Sequence, residues 1–374
     1  MGLNLAAERA EAVRLRQCFL DAGATNVDCA ILQPAETLLD LYGEDIRART
    51  YVTQDPTRGE VMLRPDFTVP VVQMHMETGA APSRYTYCGE VFRRQEDHPE
   101  RASEYFQVGY ELFAESDAAQ ADAEVFGLFA ETLAPFDLRA VTGDIGILAA
   151  AVQALKISGP RRAALMRHIW RPRRFRALLD RYSGRAAPPP ARQALLGAKD
   201  PQAQAGPLIG LRSEAEIAER IAALRAEAAE GPLCGSQVQL IDALLAVRET
   251  CSFALEQLHD IAVDLPGMLP AVERFERRCE ALAARGIDVA TLEFEASYGR
   301  SSMEYYDGFV FGFVPARRPP PPPIATGGRH DAPPPRPGAG RSDALTQRLG
   351  AGRSASAVGG VIRPGLLLQL ECTP

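Results

Sequence analysis

Residues 62–112 read MLRPDFTVPVVQMHMETGAAPSRYTYCGEVFRRQEDHPERASEYFQVGYEL, and this stretch decides the fold. A short strand ends in Leu63-Arg64-Pro65-Asp66-Phe67-Thr68. A second strand is predicted over Tyr85 to Arg94, a loop of mixed charge over Gln95 to Arg101, and a third strand over Tyr105 to Phe113. Two strands joined by a charged loop form a long hairpin. Side chains alternate faces along a strand. Phe106, Val108, Tyr110 and Leu112 therefore share one core-like face. Tyr105, Gln107, Gly109, Glu111 and Phe113 share the other. That second face sets an amide and a carboxylate beside a glycine, which leaves room for a small polar ligand. An ordinary sheet with one solvent-facing side fits the same pattern.

Working outward, 374 residues are enough for two or three domains with ample core. An apolar share of 46% and a charged share of 24% are those of a globular protein in water. The net charge of −7 disfavours wholesale nucleic-acid binding, which needs a basic footprint, though a local basic patch stays open. Seven scattered cysteines with no C-x-x-C predict reduced thiols in a cytoplasm, and five separated histidines predict no metal site. The start, Met1 to Ala6, lacks the basic and apolar regions of a signal peptide. No run of 18 apolar residues predicts a membrane span.

Along the chain, helices are predicted over Ala6 to Ala22, Pro70 to Thr78 and Asp117 to Leu133, with a strand over Leu138 to Thr142 and a helix through Leu155. Strands flank the turn Asp55-Pro56-Thr57-Arg58-Gly59. Strands and helices alternating around antiparallel hairpins predict an α+β fold, helices on an antiparallel sheet. Residues 160–288 change character to mostly helical, with Ser213 to Ala229, Gln237 to Leu258 and Leu269 to Arg285 strongly helix-forming. This stretch reads as an inserted helical region within a core domain of 1–159 and 289–374. Its segment 161–185 holds nine arginines and one acid, Asp180. A phosphate-, RNA- or partner-binding face and a solvated basic helix side are both open there. Strand pattern returns over Thr291 to Phe313 and Ile324 to Asp331. Residues 333–344 are a low-complexity Pro/Gly insert with a near-repeat beside it, Gly338-Ala339-Gly340-Arg341-Ser342 against Gly350-Ala351-Gly352-Arg353-Ser354.

Five ordered blocks carry a resemblance to histidyl-tRNA synthetases. Leu63 to Thr68 resembles their "LRPEGT". Gly89-Glu90-Val91-Phe92-Arg93-Arg94 resembles motif 2, "G-x-x-F-R-x-E". Phe106 to Glu111 resembles "F-x-Q-x-G-x-E", Glu304 to Phe311 resembles "D-Y-Y-x-x-x-V-F", and Gly327-Gly328-Arg329-His330-Asp331 resembles "G-G-R-Y-D". The resemblance covers most of the chain and is weakest in the middle. It implies a class II aminoacyl-tRNA synthetase-like fold, with a homodimer built near Ile31 to Pro34. It also implies an amino-acid pocket for histidine: Asp66 and Thr68 at the α-amino group, Arg93 for a carboxylate, Gln107, Glu111 and Tyr306 around the ligand, and Tyr305 as a strand neighbour. His330 stands where the family has Tyr.

The chain departs from the family where the chemistry would be. The synthetase stabilises charge at the α-phosphate of ATP with three arginines, and such preorganised charge is where rate enhancement comes from. Arg93 matches the first. Ser301 falls at the second, with Arg300 one residue away and so on the opposite face of a strand. Leu366 falls at the third, with Pro364 altering the helix start. The chain stops at Pro374 just after the motif 3 equivalent, so no anticodon-binding domain is expected. These departures make a paralogous family, the regulatory subunits of ATP phosphoribosyltransferase, the better match. That likeness implies no catalytic residue and no cofactor. It implies a separate short-form catalytic subunit as partner, histidine as effector at the first step of histidine biosynthesis, and no membrane or nucleic-acid partner. A truncated histidyl-tRNA synthetase or related amino-acid ligase is the alternative; a tRNA-binding module would rest on the 161–185 arginines alone.

The composition of 333–344 cannot bury a core. Deleting it is expected to leave the melting temperature within experimental error; a drop of several degrees would show that the segment packs.

Overall fold

The computed structural model describes residues 5–36, 49–95, 101–114, 117–203, 205–301, 303, 306–316, 322–330 and 356–371. Tyr305 and the 333–344 insert lie outside the described residues. Strands β1 (Thr25–Asn26), β2 (Leu32–Pro34), β3 (Val52–Asp55) and β4 (Gly59–Leu63) precede β5 (Ser83–Phe92) and β6 (Glu104–Phe113). Then come β7 (Leu138–Asp144), the short β8 (Arg248–Thr250) and β9 (Glu293–Glu295), and finally β10 (Phe309–Pro315), β11 (Ala325–His330) and β12 (Ala357–Ile362).

The hairpin predicted from residues 62–112 is the long antiparallel pair β5–β6, in register from Ser83 opposite Phe113 to Phe92 opposite Glu104. It lies within a nine-stranded sheet of order β1-β5-β6-β12-β11-β10-β7-β9-β8. The expectation of an antiparallel sheet holds for the six strands from β5 to β7. At the flanks it needs correcting, because β1 pairs parallel with β5 and β9 parallel with β7, so the sheet is mixed. Both parallel pairs join strands separated by long stretches containing helices, the connection that parallel pairing requires. A three-stranded sheet, β2-β4-β3, stands apart. Its β3–β4 turn works as the sequence predicts: the Asp55 carboxylate accepts from the backbone N–H of Thr57 and Arg58, and Gly59 takes φ 77°.

Helices α1 (Leu5–Asp21), α2 (Thr68–Thr78), α3 (Ala118–Leu133) and α4 (Ile145–Ala154) belong to the first half. Asp144 caps α4 by accepting from the Gly146 N–H at 2.8 Å. Residues 160–288 hold α5 (Gly159–Arg167), α6 (Pro172–Tyr182), α7 (Pro190–Gly197), α8 (Glu214–Ala229), α9 (Gly235–Ala246), α10 (Cys251–Asp264) and α11 (Leu269–Ala284), and α12 (Pro364–Glu371) closes the chain. One helix expected over Gln237 to Leu258 is instead two, broken by β8. There the Ala296 N–H bonds the Val247 carbonyl, the Cys251 N–H bonds the Leu292 carbonyl, and Arg248 pairs with Glu295. Pairing with β9 outweighs local helix propensity, which is a weak prior.

The two faces of β6 part as the alternation predicts. Phe106, Val108, Tyr110 and Leu112 enter the main core with Phe19, Phe126 and Phe129, whereas Phe113 joins a smaller cluster around Phe67 and Tyr87. The main core is closed by buried charge. Arg278 of α11 places Nη2 2.6 Å from Asp144 of β7 and Nη1 3.3 Å from Asp122 of α3. Arg329 of β11 donates from Nε to Asp122 at 2.8 Å and from Nη1 to Ser356. Burial acts to lower the Arg278 guanidinium, but the carboxylates of Asp144 and Asp122 outweigh it and hold the group above its ordinary range. Arg278→Leu leaves Asp144 without its guanidinium and Asp122 with one in place of two. Breaking a buried ion pair from one side costs about 3–5 kcal/mol. Denaturant unfolding of Arg278→Leu should lose that much; a loss under about 1 kcal/mol, the scale of an exposed pair, would overturn the buried-network reading.

Candidate functional site

The second face of β6 is not wet. Gln107 and Glu111 are buried to 0% and 1% exposure, beneath side chains from β5, α2 and β11. Glycine makes that possible. Gly359 lies opposite Glu111, and Gly328 lies opposite Gly359. A Cβ on Gly359 would sit 1.9 Å from the Glu111 carboxylate, one on Gly109 2.1 Å from the Tyr87 ring, and one on Gly328 2.8 Å from the Tyr306 ring. The floor of the site is bare backbone, across which Glu111, Tyr87 and Tyr306 lie.

The carboxylate of Glu111 is the centre. Its Oε1 accepts from Thr68 at 3.2 Å and from the Tyr87 hydroxyl at 3.3 Å. Its Oε2 has no hydrogen-bond partner, and the Nε2 of His330, 3.7 Å away, has none either. Both polar atoms of the Gln107 amide are also buried and unpartnered. A buried polar atom without a partner costs about 1–3 kcal/mol. Four such atoms on one sheet face make this the candidate site for a small polar ligand. Tyr87 is held by a stack, with Arg64 4.1 Å over the Phe67 ring and Phe67 4.5 Å from Tyr87 at 13°. His75 of α2 stacks on Phe113 at 3.8 Å and bonds the Tyr85 hydroxyl.

Of the residues assigned from the sequence, Thr68 and Glu111 touch directly, Gln107 shares their sheet face, and Tyr306 lies against Gly328 and 6.4 Å from the His330 ring. Asp66 and Arg93 are occupied with each other: Arg93 lies 3.5 Å from the Asp66 carboxylate and donates from Nε to the Pro65 carbonyl at 2.7 Å. Tyr305 lies outside the described residues. Sequence reasoning missed Tyr87, His75 and the glycine floor. The available signal was the pair of doublets Gly327-Gly328 and Gly359-Gly360, which the register sets side by side.

The positions of the other family arginines are filled differently. Arg300 is buried, donates from Nε to the Ile169 carbonyl at 2.9 Å and lies 4.9 Å over the Phe175 ring. Burial, with Arg176 adding to it, holds its guanidinium down at about 10. Ser301 is exposed and Leu366 packs against the main core. Arg363 bonds the Pro323 carbonyl and the Thr326 hydroxyl.

Gly359→Ala tests the floor. The added methyl must displace the Glu111 carboxylate. Calorimetry with histidine, the ligand the resemblance implies, should show affinity lower by about tenfold or more, equivalent to 1.4 kcal/mol. Unchanged affinity would remove Glu111 from the site.

Three comparisons agree with this geometry. The family model for histidyl-tRNA synthetase matches residues 4–230. The chain is 32% identical over 326 residues to the ATP phosphoribosyltransferase regulatory subunit of Allorhizobium ampelinum, covering 78% of this chain and 83% of that protein. It is 32% identical over 349 residues to the protein of that name from Mesorhizobium japonicum, covering 86% and 89%. Among solved structures it is similar to an ATP phosphoribosyltransferase regulatory subunit/histidyl-tRNA synthetase from Bacillus halodurans, with TM-score 0.66, 19% identity, and coverage of 99% of this chain and 80% of that one. A histidine–tRNA ligase subunit from Alicyclobacillus acidocaldarius gives TM-score 0.58 at 23% identity, covering 98% and 93%. A glycine-floored carboxylate pocket on a class II synthetase sheet, with relatives of this kind over most of its length, places the chain in the histidyl-tRNA synthetase family, among the regulatory subunits of ATP phosphoribosyltransferase.

Proposed function

We propose that this chain is a non-catalytic subunit that assembles with a separate, short-form ATP phosphoribosyltransferase catalytic subunit, supports its activity and makes it sensitive to histidine. The complex works at the first step of histidine biosynthesis, in the cytoplasm. One observation carries the reading. The pocket face of Gln107 and Glu111 keeps unpartnered buried polar atoms, while the charges that would activate ATP are diverted or absent. Arg93 is turned to Asp66 and Pro65, Arg300 to Ile169, and Leu366 is apolar. A site that recognises without reacting is what a sensor needs, because an effector acts only through differential affinity for two states of the complex.

Histidine is the effector that this pocket suits. Glu111 would accept from its imidazole or ammonium, and a charge-assisted bond in a buried site is about twice as strong as a neutral one. The half-exposed apolar side chains of Ile31, Tyr51 and Val52, at and near the Ile31 to Pro34 segment where the resemblance implies a homodimer, support a homodimer core within the hetero-oligomer. No helix among the described residues is long and apolar enough to cross a membrane.

Mixing purified subunits and following phosphoribosyl-ATP formation tests the reading. The chain is expected to bind the transferase, raise its activity and render it histidine-sensitive, and Glu111→Gln should weaken the histidine effect while leaving assembly intact. Failure to bind or activate would overturn the assignment. Histidine-dependent pyrophosphate exchange into ATP at about 1 per second or more, the rate of a working enzyme, would favour the amino-acid ligase instead.

A further inference from the structure

His330 closes β11 on the pocket face. Side chains alternate along the strand, so Gly328 and His330 share that face while Arg329 points to the other, to Asp122 and Ser356. Opposite His330 on β12 is Ala357, which in turn lies opposite Phe113 of β6. The small Ala357 and the bare Gly359 leave room for the imidazole to approach Glu111 across β12. The ring is largely buried, with 12% of the side chain exposed, against the Phe113 ring at 6.5 Å and the Tyr306 ring at 6.4 Å. Around Glu111 and Phe113 the other titratable side chains described are Tyr85, Tyr87 and His75. The Tyr87 hydroxyl is turned to Oε1 of Glu111, and His75 to Phe113 and the Tyr85 hydroxyl.

One pair of atoms on this face is left over. Oε2 of Glu111 and Nε2 of His330 are both buried, both without a hydrogen-bond partner, and 3.7 Å apart. That separation is too long for a hydrogen bond but within the reach of an ion pair. Among the described residues no arginine or lysine pairs with Glu111; Arg93 lies 3.5 Å from Asp66 and Arg329 2.8 Å from Asp122. The carboxylate is therefore left to balance one positive charge. A protonated His330 supplies it. So does the ammonium or imidazolium of an amino acid such as histidine. Both at once would bury two cations against one carboxylate, and a buried charge without a partner is strongly unfavourable. The synthetases that the chain resembles have tyrosine here, which carries no charge near neutral pH. The competition therefore belongs to this chain.

We infer that His330 regulates the pocket by competing with the ligand for Glu111. Protonated, it closes onto Oε2 and holds the carboxylate. Neutral, it leaves Oε2 to the positively charged group of the ligand, and the imidazolium proton passes to solvent on binding. The inference rests on the histidine-binding role proposed above and adds its regulation by pH. Imidazole is the side chain that ordinarily changes charge between about pH 5 and 8. Falling pH favours the state in which His330 blocks Glu111, so affinity for the ligand drops; rising pH restores it. The transferase complex is then most sensitive to histidine above neutrality.

Calorimetry of histidine binding to the full chain at about pH 6 and about pH 8, each in two buffers of different ionisation enthalpy, counts the protons exchanged. The wild type is compared with His330→Tyr and His330→Gln, whose side chains carry no charge at either pH. Histidine's own imidazole titrates alike in all three and cancels in the difference. At the lower pH the wild type is expected to release up to about one proton more per site than the variants. From the higher pH to the lower, its affinity should fall about tenfold further than theirs, the linkage set by one displaced proton. Melting temperatures confirm folding, and either variant decides the matter if the other does not fold. Equal proton counts and parallel pH profiles would overturn the competition and leave the pocket standing. Loss of binding at both pH values in the folded variants would make His330 a direct ligand contact and likewise overturn it. A wild type that binds no histidine at either pH would overturn the pocket and the inference together.

Discussion

Asp122, Asp144, Arg278 and Arg329 hold this molecule together at one buried point. Two strands and two helices, far apart in sequence, each contribute one ion. Ions removed from water are stable only when each finds a partner in good geometry. The network therefore admits one arrangement of β7, β11, α3 and α11 and penalises others. Through β11 it fixes the strand that carries Gly328 and His330. Through Asp144, which also caps α4, it fixes the far side of the sheet. The pocket face of β6 inherits its shape from these constraints, because β12 and β11 must lie flat beside it for Glu111 to reach across Gly359.

The pocket follows from its backbone, and the placement of Arg300 from its helical neighbours. Glycine at 359, 328 and 109 lowers the sheet surface so that side chains can lie across it. Arg300 donates from Nε to the Ile169 carbonyl and lies over the Phe175 ring, with its Nη2 buried and unpartnered, so that this charge sits against α6 in the helical region. The described side chains at the pocket are a carboxylate, an amide, hydroxyls and an imidazole.

Much of this was legible in residues 62–112. The period-two pattern of β6 assigned Phe106, Val108, Tyr110 and Leu112 to the core and Gln107 and Glu111 to the other face, and both assignments match the burial. The strand β8 was not legible, since Arg248-Glu249-Thr250 carries no pattern and becomes a strand only because β9 offers it a partner. The mutual pairing of Asp66 and Arg93 was hidden for a similar reason. Sequence resemblance assigned both to a ligand, and only geometry shows them facing each other. The core network was invisible too: four charged residues scattered from 122 to 329 read singly as solvated surface.

The pairing of β11 with β12 runs from Ala325 opposite Ile362 to His330 opposite Ala357. The connection between them therefore begins and ends at adjacent points, beside the pocket wall. For a chain whose ends are already fixed by a ladder, closure entropy grows only logarithmically with length, about 0.6 kcal/mol per doubling. The sequence between these strands is thus free to lengthen and to drift in composition at almost no thermodynamic penalty. Variation can accumulate in that sequence while the register beneath Glu111 stays unchanged.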